Sequence, residues 1–239
     1  MLKKPTYTLF GERTILIAWE ALISEAIIKD ITQFEQLVQS EKSEVIEDSV
    51  IGYNSLLLIY KKAPDAAEIA SLKTLYKRRT TSVDVENFLW KIPVCYDIKF
   101  GVDLEELAKG LQLTPEEVIQ KHSNAIYHVY FIGFLPGFLY LGGLEKGLHF
   151  PRKATPRLAV SKGAVAIGGS QTGIYPQQSA GGWNIIGSTP ISLFDISKEA
   201  PCFAKSGDKI QFVPIGLSEY ASIMAQKGAY EVTKTLLHD

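Results

Sequence analysis

Hydrophobic and polar positions along the chain change their period near residue 90. Before it, strand-like and helix-like stretches alternate. Thr14 to Trp19 (TILIAW) is an unbroken apolar run of strand length. Ile27, Ile31, Phe34 and Val38 then recur at helical spacing, with Glu25, Lys29, Asp30, Glu35 and Gln36 on the other faces. Glu44 to Ile51, the turn Gly52-Tyr53-Asn54 and Ser55 to Tyr60 (SLLLIY) predict a hairpin. After Pro64, Asp65 is placed to cap a second amphipathic helix carrying Ala66, Ile69, Leu72 and Tyr76 and ending in Lys77-Arg78-Arg79. The order is β-α-β-β-α, with a further strand expected at Phe88 to Tyr96. That order predicts an α+β, ferredoxin-like domain over residues 1–88, with helices on one face of a sheet.

From residue 89 to 239 strands dominate. One helical insert interrupts them, at Asp103 to Leu111 and Thr114 to His122; Thr114-Pro115-Glu116-Glu117 combines a capping box with proline at the first helical position. Ile126, His128, Tyr130 and Ile132 alternate with Tyr127, Val129 and Phe131 across a strand. Further strands are expected at Leu158 to Val160, Ala164 to Ile167, Gly182 to Ile186, Ile191 to Asp195 and Lys209 to Pro214. Many short strands with turn signals between them predict a closed or partly closed β-barrel. Ser218 to Leu237 has the apolar spacing of a terminal helix, interrupted at Gly228.

Composition alters this picture in one segment. Gly133 to Gly187 holds 12 of the 19 glycines, four prolines and six charged residues, five of them basic. Gly and Pro exclude a long helix there. Close-approaching loops with surplus positive charge and aromatic side chains suit a small anionic ligand. Elsewhere the chain is ordinary: 239 residues, 46% hydrophobic, 21% charged, formal net charge -1, which fits one large or two small globular domains. The balanced charge argues against a nucleic-acid partner. No stretch approaches the roughly eighteen apolar residues of a membrane helix, and residues 1–20 lack a leader pattern. Cys95 and Cys202 match no redox or metal spacing and read as small buried hydrophobes, so a cytoplasmic location is expected.

The chemical inventory is restrictive. No Walker loop and no dinucleotide fingerprint is present. Gly168-Gly169-Ser170-Gln171-Thr172-Gly173 lacks the second glycine of a nucleophile elbow, because Thr172 stands there. His122, His128, His149 and His238 have neither the spacing nor the company of a zinc site, and no metal is expected. His122, next to the glycine-rich region, is a candidate for proton transfer or substrate contact, with a structural role as its alternative. Arg152 and Arg157 flank Pro156 in HFPRKATPRLAV, a stiff loop with little acidic charge nearby in the sequence. Two such guanidinium forks, if left unneutralised, suit a carboxylate or phosphate. Gln171, Tyr175, Ser179, Gly182 and Trp183 are candidates for neutral hydrogen bonds and an aromatic wall. Phe134, Pro136, Phe138 and Tyr140 read as pocket rim, core or partner interface.

These same stretches carry a resemblance. Val129 to Leu144 (VYFIGFLPGFLYLGGL), Phe150 to Arg157 (FPRKATPR) and Gly168 to Pro190 (GGSQTGIYPQQSAGGWNIIGSTP) resemble, in order, the motifs of the PxpB/KipI family. That family is also described as allophanate hydrolase subunit 1 or half of a carboxyltransferase domain. Ile92 to Asp97, Asp103 to Ala108 and Leu113 to His122 match as well, so the resemblance covers nearly the whole chain. It implies a small N-terminal α+β domain and a C-terminal cyclophilin-like β-barrel.

Members resembling PxpB act with a paralogous PxpC-type subunit and a PxpA-type subunit in ATP-dependent opening of 5-oxoproline to glutamate. The implied route phosphorylates the lactam oxygen before water attacks, and Arg152 and Arg157 are placed to stabilise the resulting anion. Two alternatives follow from the same resemblance. KipI-like members inhibit autophosphorylation of a sensor histidine kinase, and fused members form half of a biotin-dependent urea carboxyltransferase. The chain departs from the family at Ala180, where Ser-Pro-Gly-Gly-Trp is common, and at Ser188, where a basic residue often stands.

Overall fold

The computed structural model describes residues 2–78, 86–226 and 230–237. Its contacts divide the chain into two units, Met1–Glu86 and Asn87–Asp239. The first contains β1 (Thr6–Leu9), β2 (Thr14–Ala18), α1 (Glu25–Lys42), β3 (Ile46–Ile51), β4 (Ser55–Tyr60) and α2 (Ala66–Arg78). Its sheet runs β1-β2-β4-β3 with every neighbouring pair antiparallel. β4 is therefore inserted between the two strands that α1 connects, a split β-α-β arrangement. Alternate residues Ile15 and Ile17 of β2 and Leu56 and Leu58 of β4 face Ile27, Ile31, Phe34 and Val38 of α1 in a dry core. Buried Asp30 accepts from the Trp19 indole at 2.7 Å and from the Tyr76 hydroxyl, tying α1 to α2 through a shared carboxylate. The further strand expected at Phe88 to Tyr96 is not part of this sheet; β1 takes the outer place beside β2. Of the basic run closing α2, Lys77 and Arg78 lie in its last turn, and Arg79 lies outside the described residues.

The second unit contains β5 (Asn87–Val94), α3 (Leu104–Leu111), α4 (Pro115–Asn124), β6 (Ile126–Ile132), β7 (Leu139–Gly142) and β8 (Arg157–Val160). It continues with β9 (Ala164–Gly168), β10 (Gln171–Ile174), β11 (Ser179–Gly181), β12 (Asn184–Ser188), β13 (Lys209–Pro214), α5 (Leu217–Ala225) and β14 (Thr233–Leu237). At α4 the capping box forms: the Glu117 amide donates to the Thr114 hydroxyl at 3.2 Å, and the Thr114 amide donates to the Glu117 carboxylate at 2.7 Å. Eight strands follow the order β12-β9-β10-β7-β6-β13-β5-β14, and β8 pairs with β11 as a separate ribbon.

The sheet sorts its side chains by strand alternation. Val165 and Ile167 of β9 enter the main core with Ile92, Leu107, Val118, Tyr127, Leu141 and Phe212. Ala164 and Ala166, on the other face of the same strand, enter a smaller cluster with Phe138, Tyr175 and Trp183.

Three expectations are corrected here. The closed barrel does not form. β14 pairs with β5 over Asn87–Lys91, and only an isolated bridge, Cys95 to Ser188 with N···O of 2.8 and 2.9 Å, joins the far end of β5 to β12. Pro190, two residues on, has no amide hydrogen with which to extend that ladder. The terminal helix ends at Ala225; Thr233–Leu237 is a strand, and Gly228 and His238 lie outside the described residues. Ile191 to Asp195 is not a strand, and Phe194 contributes one isolated bridge to Cys202. Both cysteines are free thiols, Cys95 buried and Cys202 half-buried.

Candidate functional site

Small residues on one face of the large sheet prepare a floor for aromatic rings. Ala164, Ala166 and Gly168 alternate along β9, and Gly173 lies on the neighbouring β10. A β-carbon on Gly168 would come within 2.4 Å of the Trp183 indole, and one on Gly173 within 3.1 Å of it. A β-carbon on Gly181 would meet the Tyr175 hydroxyl at 2.3 Å. The glycine content of this region is thus a packing requirement: rings lie directly on backbone. Phe138 meets both Tyr175 and Trp183 edge-on, with centroids 5.7 Å apart in each case. Such T-shaped contacts are favoured by the ring quadrupoles.

Above this floor lies a cleft of about 240 Å³. It gathers seven of the residues singled out from the sequence, namely Phe134, Phe138, Tyr140, Arg152, Tyr175, Gly182 and Trp183. Lys153, Pro156, Ala180 and Gly181 line it too and were not among those candidates. The Arg152 guanidinium lies 5.6 Å from the centroid of the Trp183 ring. Among the described residues no carboxylate pairs with Arg152, so its charge faces the cleft uncompensated. Phe134, at the rim, is 66% exposed and holds φ at +67°, in the left-handed region that non-glycine residues seldom occupy. A strained, exposed aromatic at a cleft mouth is a common mark of a contact residue.

Arg157 is placed differently. Its guanidinium donates to Asp103 at 2.6 Å, and Asp103 is 3% exposed. The same carboxylate accepts from the Ile185 amide at 2.7 Å and pairs with Lys153 at 3.0 Å. Burial opposes ionisation of Asp103, but the Arg157 hydrogen bond, then those from Ile185 and Lys153, override it and hold its carboxyl below the ordinary value. The expectation of two unneutralised guanidinium groups is therefore corrected: Arg152 is open, and Arg157 is engaged in fastening β8 to the start of α3. Lys153 also reaches Glu106 of α3 at 3.0 Å, and its amide donates to the Gly182 carbonyl at 2.7 Å. That amide bond ties the PRKATPR loop to the Gly-Gly-Trp segment. Burial raises the Tyr175 phenol, opposed by the Trp183 amide and the charges of Arg152 and Arg157.

His122 does not lie at the mouth of the glycine-rich region. It is fully buried in the main core, stacked on Phe212 with centroids 4.6 Å apart. The Thr172 hydroxyl donates to the Ala166 carbonyl at 3.0 Å, so it accepts from Nε2 of His122 at 2.8 Å. Nδ1 then accepts from the Tyr96 hydroxyl at 2.7 Å. Every polar atom of the ring is satisfied while it is neutral, and burial pulls its pKa down to about 3. It cannot exchange protons with a ligand in the cleft. Gln171, Ser179 and Pro136 also lie outside the cleft lining. Gln171 opens β10, Ser179 opens β11 with its hydroxyl on the Ala180 carbonyl at 3.2 Å, and Pro136 is in the exposed turn after Phe134.

A cleft with one free guanidinium, set in a mixed α/β chain of this topology, matches a known class of domain. The family model described as "Carboxyltransferase domain, subdomain C and D" matches residues 5–204, and the chain belongs to that family. Among named relatives it is 42% identical over 222 residues to a 5-oxoprolinase subunit, the PxpB-type one, of Bacillus subtilis (strain 168), covering 88% of this chain and 92% of that one. The solved structure of TTHA0988 is 34% identical with a TM-score of 0.73; the match covers 85% of this chain, which spans about 40% of that protein's length. The K. lactis urea amidolyase superimposes over 98% of this chain and 16% of its own, with a TM-score of 0.79 at 18% identity, a likeness of fold. Among the described residues no helix is long and apolar enough to cross a membrane.

Proposed function

We propose that this chain is the PxpB-type subunit of a 5-oxoprolinase, a cyclic-amide hydrolase that opens 5-oxoproline to glutamate with the use of ATP. The observation that carries this is the similarity to that 5-oxoprolinase subunit along nearly the full length of both chains. The cleft supports it chemically. A small lactam acid has a flat ring for the Trp183 face and one carboxylate for Arg152, a charge-assisted pairing. The Tyr175 oxygen accepts from the Trp183 amide, which turns the phenol proton toward an acceptor such as the lactam oxygen.

ATP does not fit this cleft. Its volume, about 240 Å³, lies below the roughly 300 Å³ at which drug-sized ligand pockets begin. One uncompensated cation does not balance a triphosphate. The nucleotide is therefore assigned to another subunit or to an interface, with PxpC-type and PxpA-type subunits as partners in a cytoplasmic hetero-oligomer. The finer fold assignment goes with this proposal: a ferredoxin-like domain to residue 88 and a cyclophilin-like domain from 89 onwards. In it, this chain binds and orients the lactam and excludes water from one face.

Purified chain combined with PxpC-type and PxpA-type subunits should release glutamate from 5-oxoproline only when ATP is present, and unaffected by avidin. Absence of turnover in the complete set contradicts the assignment. Avidin-sensitive carboxyl transfer would support a urea carboxyltransferase half instead, and suppression of a sensor histidine kinase by the chain alone would support a KipI-like inhibitor.

A further inference from the structure

Four charged side chains meet beside the cleft, and their sum is zero. Asp103 and Glu106 carry two negative charges, and Arg157 and Lys153 two positive ones, linked by contacts of 2.6 to 3.0 Å. Only Lys153 of these four lines the cleft. Its ammonium is shared between Asp103 and Glu106, at 3.0 Å from each. Asp103 is already committed to Arg157 and to the Ile185 amide, so its charge is spent within the buried fastening. Glu106 makes no such commitment: it projects from α3 with 71% of its side chain exposed, and the one contact it makes here is to Lys153.

We infer that Glu106, which lies outside the cleft lining, is a specificity-determining residue that holds the net charge of the cleft at one, from Arg152, and so tunes it to monoanions over dianions. The inference deepens the lactam-acid assignment and rests on it only for the identity of the monoanion. Electrostatically, removing the Glu106 charge adds one positive unit near the bound anion. The gain in binding free energy scales with the ligand's charge, so the factor for a dianion is the square of the factor for a monoanion. At the separation and exposure seen here the expectation is about 3-fold for a monoanion and about 10-fold for a dianion at low ionic strength.

The test is Glu106→Gln in the full chain, with binding followed by tryptophan fluorescence and by calorimetry at pH 8 and low salt. The probes are 5-oxo-L-proline as monoanion and inorganic phosphate as dianion. The expected result is a phosphate affinity that rises about 10-fold while 5-oxoproline changes about 3-fold. The difference should collapse at high salt and disappear in Glu106→Gln/Lys153→Met. If phosphate binds Glu106→Gln no more tightly than wild type, or if both anions change by the same factor, the inference is overturned. A phosphate gain without any 5-oxoproline binding in either protein would uphold the role of Glu106 and count against the lactam-acid assignment.

Discussion

His122 and Asp103 are both buried ionisable residues of the large unit, and the same burial leaves one neutral and the other charged. His122 has a hydroxyl on each ring nitrogen and an aromatic ring on its face, so nothing there rewards a proton. Asp103 has a guanidinium, an ammonium and a backbone amide within 3.0 Å, so desolvation is outweighed. Partner chemistry, more than depth, decides the charge state. The difference also sorts their roles: His122 fastens the core across β10, and Asp103 fastens the loop that presents Arg152 and Lys153 to the cleft.

The largest effect should come from breaking the ionic cluster. Asp103→Ala leaves the Arg157 guanidinium and the Ile185 amide without their acceptor, and a broken buried pair costs about 3 kcal/mol. Urea denaturation of the full chain should register that loss; a change below about 0.5 kcal/mol would mean the cluster does not fasten the loop.

Acid should expose His122 next. An imidazole whose pKa is depressed on folding stabilises the fold above its unfolded value. That stability is lost as pH falls from about 6.5 towards 3, because the unfolded chain takes up a proton the folded one refuses. The slope is about 1.4 kcal/mol per pH unit, or about 2 kcal/mol by pH 5. Asp103, its pKa lowered, adds its own loss only below its ordinary 3.8. His122→Gln should flatten the stability profile between pH 6.5 and 4 and leave the steeper fall below it. An unchanged profile would show that His122 does not control it.

Much of the architecture is legible in the chain because local signals and tertiary structure agree. The apolar positions of α1 and the capping box of α4 are both where the spacing puts them. The failures have physical causes. Val232 and Leu236 are four apart, a spacing shared by one helix face and by alternate positions of a strand, and only pairing with β5 decides for the strand. Strands β7, β10 and β11 have three or four residues each, too few to show a period. The burial of His122 is not legible locally because its partners, Tyr96 and Thr172, are 26 and 50 residues away. The Arg157 pairing spans 54 residues, yet a signal is present: the acidic start of α3, Asp103, Glu105 and Glu106, complements the basic loop of Arg152, Lys153 and Arg157.

The contrast between a fastened arginine and a free one leads to the most direct measurement, steady-state kinetics of Arg152→Ala in the reconstituted complex. Loss of a charge-assisted contact to a carboxylate is worth about 2 kcal/mol, so kcat/KM for 5-oxoproline should fall about 30-fold. The urea midpoint should stay at the wild-type value, since Arg152 is exposed and holds no carboxylate of the chain. Wild-type kcat/KM in Arg152→Ala would contradict the account, for the cleft would then not be where the anion is held.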